Sequence, residues 1–193
     1  MMYSQNNEEQ IILNYLGDST GRFLDIGAFD GITFSNTYAL VKRGWTGVMV
    51  EASPRTFVKL QSNVEDYKNN LTLVNACIVT DAERLVDFYD NIEATATHNL
   101  PNVEKWKQQT PFEMIAVMTC HHKTLLEKVG HMYDFVNIDV EGSSTDLFMC
   151  LYDELPDVKI WCVEHDGNDK AIIEKAKGCK VLLRNGENLI LAK

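Results

Sequence analysis

Residues 23–31, FLDIGAFDG, set two carboxylates, Asp25 and Asp30, in a glycine-containing turn behind an apolar run. Turns of this kind usually let a backbone approach a phosphate. The spacing Asp25, Gly27, Gly31 does not match the dinucleotide fingerprint G-x-G-x-x-G, and no G-K-[ST] follows as it would in a P-loop. A pyrophosphate would meet both aspartates at short range, where like charges at low dielectric repel. The turn therefore suits a ligand without phosphate. S-adenosylmethionine is such a ligand, with an ammonium, a sulfonium, a carboxylate and a ribose diol. Asp25 can meet the ammonium directly or through water, and the glycines admit the ligand close to the backbone. Glu51 ends the next apolar run and can accept both ribose hydroxyls, as an acidic residue does in dinucleotide folds. Cys77 and Ile78, near the end of a third run, can border the adenine. Each position also has a plainer use, in turn capping or core packing.

Methyl transfer to a hydroxyl also requires that its proton be taken up. Three candidates stand near predicted strand ends: Asp139 and Glu141 in IDVEG, and His165 in VEHDG. His165 ranks first as base because imidazole titrates near ~6.5, and Glu141 second. Asp139, Glu141, Glu164 and His165 together could instead hold a hard divalent cation such as Mg2+. A CHH run at 120–122 reads as a helix start, since adjacent helical residues point apart.

These residues need elements to hold them. Apolar runs at RFLDIG, GVMVE (47–51), LTLVNACIV (71–79), YDFVNIDVEG and VKIWCVEHDG predict buried strands. RLVDFYD (84–90) and EMIAVMTC predict further strands. Helical spacing recurs in TFSNTYALVKR, in SPRTFVKLQSNV behind a Ser53 cap and Pro54, in HHKTLLEKV, in STDLFMCLYDEL with Leu147, Leu151 and Leu155 on one face, and in DKAIIEKAKG. Trp45 and Trp161 read as core or strand-end residues. The stretch 91–112 is polar and uneven and reads as an irregular segment over the acceptor side. CKVLLRNGENLILAK closes the chain as two strands around an NG turn. The alternation predicts a mostly parallel sheet with helices on both faces and a C-terminal antiparallel hairpin. Ligands in such sheets bind beyond the carboxyl ends of the strands, where Asp25, Glu51, Asp139 and Glu164 would gather.

The pieces SQ (4–5), FLDIGAFDGITFSNTYAL (23–40), GWTGVMVEASP (44–54), NIDVEG (137–142) and VEH (163–165) resemble the FkbM-type methyltransferases. The resemblance implies a class I, Rossmann-like, S-adenosylmethionine-dependent methyltransferase fold with a seven-stranded sheet. It also implies O-methyl transfer, often to sugars or secondary metabolites. It brings Gln5, Ser35 and Asn36 to the cofactor, together with Ala28 and Ala52 inside the matched pieces. Helix capping is the competing role for Ser35 and Asn36. Residues 81–120 carry no such match, so the acceptor is left open between a saccharide and another small molecule. Two rival readings are a nicotinamide-dependent oxidoreductase, disfavoured by the missing fingerprint, and a non-catalytic binding scaffold.

The bulk properties agree with this reading. A chain of 193 residues with 45% hydrophobic content suits one globular domain. A net charge of -10 disfavours nucleic acid and anionic lipid as partners. Five cysteines without C-x-x-C spacing point to a reducing, cytoplasmic compartment. MMYSQNNEEQ is not a signal peptide, no apolar run is long enough to span a membrane, and the sequon at Asn70 then has no weight.

Overall fold

The computed structural model describes residues 2–193. In chain order it contains α1 (Glu8–Leu16), β1 (Arg22–Ile26), α2 (Tyr38–Lys42), β2 (Thr46–Glu51), α3 (Pro54–Asn63), β3 (Leu71–Asn75), β4 (Cys77–Val79), β5 (Leu85–Asp90), α4 (Leu100–Trp106), β6 (Glu113–His121), α5 (His122–Val129), β7 (Phe135–Ile138), α6 (Ser144–Glu154), β8 (Ile160–Glu164), α7 (Asp169–Lys175), β9 (Lys180–Arg184) and β10 (Asn188–Ala192). Seven strands form one sheet in the order β3-β2-β1-β7-β8-β10-β9. The pairs β3–β2, β2–β1, β1–β7 and β7–β8 are parallel, and β10 runs antiparallel to both its neighbours. A smaller sheet has the order β4-β6-β5.

The strands of the large sheet are continuous apolar runs because helices cover both faces. Leu24, Ile26, Val136 and Ile138 face a core shared with α5 and α6, while Phe23 and Phe135 face one shared with α1, Leu40 and Leu60. Trp45 and Trp161 are both fully buried, and Trp161 meets Phe148 edge-on at 5.3 Å. Local signals set the helix starts. The Ser53 side chain accepts from Thr56 N–H with Pro54 in the first position of α3, and the His121 ring accepts from Lys123 N–H to open α5.

The strand order reverses between β1 and β7, so a crevice opens beyond their carboxyl ends. β2 adjoins β1, and the ends of all three strands share one rim.

Three sequence expectations change. Residues 33–37 are not helical, and α2 starts only at Tyr38. Phe34 has φ 56°, which no right-handed helix accommodates. The run 71–79 splits, because Ala76 N–H and the Asn75 side chain both bond the Glu51 carbonyl. The chain there leaves the large sheet, and Cys77–Val79 pairs with β6 instead. The stretch 91–112 holds a helix, α4, with Pro101 in its first turn. The terminal hairpin is present, but its turn is organised by the Asn185 side chain, which accepts from Glu187 and Asn188 N–H. Among the described residues, no helix is long and apolar enough to cross a membrane.

Candidate active site

The cleft lies on that shared rim. Asp25, Gly27 and Ala28 from the end of β1, Glu51 and Ala52 from β2, and Asp139 and Glu141 from β7 all line it. Cys77, Ile78, Gln5 and Asn36 line it as well. Residues Glu93, Ala96 and His98 of the irregular segment also line it.

The loop after β1 is fixed by its backbone. Gly27 and Ala28 N–H both donate to the Val50 carbonyl, each at 2.9 Å. Gly27 has φ 89°, and a Cβ there would lie 1.6 Å from the Asp139 carbonyl oxygen. This glycine therefore lets two strand ends touch, which is a stricter demand than ligand access. Gly31, at φ 79°, sits against Leu60 and Val64 and does not line the cleft. That corrects its sequence-based placement at the cofactor. Asp30 also turns inward on its own loop, accepting from Ile32 and Thr33 N–H.

Asp25 is 2% exposed and held in a buried network. One oxygen accepts from Thr37 Oγ1 at 2.5 Å, the other from Asn137 Nδ2 at 2.9 Å, and Asn137 Oδ1 accepts from Asn36 Nδ2 at 3.0 Å. Burial pushes the Asp25 carboxyl up to about 6, against the pull of those two donors. Each Glu51 oxygen accepts one backbone N–H, from Phe29 and from Ser53. Burial lifts it to about 7. One lone pair on each oxygen is thus left for a ligand. Ser35 stands before the helix rather than within it, and its Oγ accepts from Thr37 and Tyr38 N–H. It thus caps the start of α2 and also lines the cleft.

Glu141 adopts φ 53° and is anchored at several points. Its Oε2 accepts from Asn102 Nδ2, its N–H donates to Glu164, and its carbonyl accepts from Thr97 Oγ1. Burial, reinforced by Glu164, pushes its carboxyl up to about 8. Asp139 is held well above the usual carboxylate range, again by burial first and Glu164 second. Asp139, Glu141 and Glu164 bring oxygens within 4.8 Å of one another.

His165 is not brought to the cleft. Its Nδ1 accepts from Gly167 N–H at 3.0 Å and its Nε2 meets the Asn185 carbonyl at 3.1 Å. Both nitrogens are committed to a turn clamped by the terminal hairpin, where His165 N–H also bonds Glu187 O. The assignment of His165 as base is therefore withdrawn, and it leaves the candidate cation set. Three carboxylates remain of that set. Burial raises the pKa of all three, Glu164 accepts from Ser144 Oγ and Glu141 N–H, and no Mg2+ role is assigned to them.

Asn137 and Thr37 escaped the sequence reading. Asn137 had a signal, being a polar residue in the middle of the apolar strand FVNI. Asn102, which holds Glu141, had none.

A parallel sheet with one antiparallel strand in the sixth place and an acidic cleft at its switch point defines a class I methyltransferase fold. The chain belongs to the FkbM methyltransferase family, whose model, "Methyltransferase FkbM domain", matches residues 25–175. A solved FkbM methyltransferase from Methylobacillus flagellatus KT is similar at TM-score 0.56 and 10% identity, over 90% of this chain and 44% of that one. The METTL16 MTase domain gives TM-score 0.55 at 14% identity, over 97% and 65%. A hypothetical protein of Thermus thermophilus gives 0.55 at 17%, over 98% and 86%. The chain thus spans under two thirds of the first two. No curated protein matches it.

Proposed function

We propose that this protein transfers a methyl group from S-adenosylmethionine to a hydroxyl oxygen of a sugar or another small metabolite. The observation that carries the proposal is the charge of the cleft. Asp25, Glu51, Glu93, Asp139 and Glu141 line it, and among the described residues no lysine or arginine does. Burying several carboxylates together is costly unless a cation joins them. A cationic, phosphate-free nucleoside fits such a site, and a pyrophosphate does not.

The residues present fit this cofactor. Glu51 would accept from the ribose diol with its unused lone pairs, Cys77 and Ile78 would border the base, and Asp25 would meet the ammonium directly or through water. The cofactor supplies an electrophilic methyl carbon on sulfur. The chain supplies position, exclusion of water and a proton acceptor. In transfer to a hydroxyl, Glu141 would take up the acceptor's proton. A cation bound in this cleft would favour the ionised form of Glu141 and so ready it as a base.

Calorimetry with S-adenosylhomocysteine and with NAD tests the cofactor, and methyl transfer to a panel of glycosides tests the acceptor. Binding of S-adenosylhomocysteine but not NAD is expected. Tight NAD binding with no response to S-adenosylhomocysteine overturns the proposal.

A further inference from the structure

One large apolar side chain at the cleft is turned outward. Phe34 is 51% exposed and lines the cleft. Its φ of 56° lies in the left-handed region, which a bulky L-residue seldom adopts. The neighbouring capping bonds come from Ser35 Oγ and make no use of a phenyl ring at 34. Asparagine or glycine would carry the same backbone with less strain. Strain of this kind persists where the surrounding structure holds the side chain to a task.

Two residues on, Asn36 is 6% exposed and lines the same cleft. Its Nδ2 is occupied by Asn137, while its Oδ1 is buried without a hydrogen-bond partner. A buried carbonyl oxygen in that condition is stabilised by any ligand that brings an N–H or O–H. The loop thus brings to one cleft an exposed aromatic ring and an unused acceptor. A pyranose has the complementary surfaces: a C–H face that lies against an aromatic ring, and hydroxyls that donate. Glu93 and Glu141, on the same cleft, offer acceptors for further hydroxyls.

We infer that Phe34 is the platform on which the acceptor sugar ring stacks, with Asn36 Oδ1 taking one of its hydroxyl hydrogens. The inference rests on the O-methyl transfer to a saccharide proposed above, and it names the residue that selects for a ring with an apolar face.

Saturation-transfer NMR on protein saturated with S-adenosylhomocysteine tests it, with methyl glycosides of rhamnose, mannose and glucose as probes. At least one glycoside binds the parent, and Phe34→Ala weakens that binding tenfold or more while S-adenosylhomocysteine affinity is unchanged. Phe34→Trp retains it. Phe34→Gly loses it without a fall in melting temperature, because glycine accepts this φ; a ring that served only stability would lower the melting temperature. Glycoside binding by Phe34→Ala within twofold of the parent overturns the platform and leaves the saccharide acceptor standing. If no glycoside binds the parent, the platform and the saccharide acceptor both fall, while bound S-adenosylhomocysteine still supports methyl transfer.

Discussion

Glu141 is the residue on which the proposed chemistry turns. It lies in the cleft, its position is set by Asn102, Thr97 and Glu164, and its carboxyl is pushed up to about 8 by burial. Glu141→Gln keeps the size and the bond to Asn102 but removes the proton acceptor. Turnover is expected to fall by ~10²–10⁴-fold, the worth of a placed general base, with S-adenosylhomocysteine affinity nearly unchanged. Single-turnover kinetics beside calorimetry check it. Asp25 and Glu51 were legible in the sequence because each ends an apolar run, and in a parallel sheet a strand's end fixes the place of its last residue. His165 follows the same rule and still misses the cleft. Its ring is captured by Asn185, and nothing local to VEHDG records a partner on a different hairpin. Gly31 was misread for a related reason: its positive φ is real, but the surface that crowds it is Leu60, a core residue from α3.

At the scale of elements, the N-terminal segment is tied to the opposite end of the chain. Glu8, fully buried, accepts from the side chains of Asn185 at 2.8 Å and Asn188 at 3.1 Å, while its other oxygen takes Asn6 N–H at 2.7 Å. This clasp joins α1 to the β9–β10 hairpin and holds the residues that carry Gln5 into the cleft. Glu8→Ala leaves the buried amide of Asn188 and the half-buried amide of Asn185 without this acceptor, at a cost of roughly 2 kcal/mol. Urea melts should show that loss, and calorimetry should show weaker S-adenosylhomocysteine binding as Gln5 is released. The strands of the large sheet were readable from their apolar runs and the helix α3 from its Ser53–Pro54 start. The division of 71–79 was not, because it depends on the Glu51 carbonyl drawing off Ala76 and Asn75. Helix α4 was hidden by the polar surface it shows to solvent, since only Asn102 and Val103 of it are buried.

For the whole molecule, the cleft carboxylates are part of a formal net charge of -10. Burial raises Asp25 from 3.8 to about 6, Glu51 from 4.5 to about 7 and Glu141 from 4.5 to about 8. Each binds its proton more tightly folded than unfolded. Their contribution to stability is therefore fully present below the unfolded values and is lost as pH rises through about 6, 7 and 8 in turn. The melting temperature of the ligand-free protein should fall between about pH 5 and about pH 8.5, and S-adenosylmethionine should bind more tightly as pH rises from about 6 to about 8, when the carboxylates that meet its cation are already ionised. Differential scanning fluorimetry across that range, with and without ligand, checks both; a flat profile would contradict the burial of these groups. The sheet order has a consequence of another kind. β10 is the tenth strand in sequence yet lies inside the sheet, between β8 and β9, with all five residues buried. During synthesis the six other strands of its sheet leave the ribosome before it. Until residue 192 clears the exit tunnel, β8 and β9 have no common neighbour and the nascent sheet has a gap near one edge. Closure of the sheet thus waits on β10, the last of its seven strands in chain order.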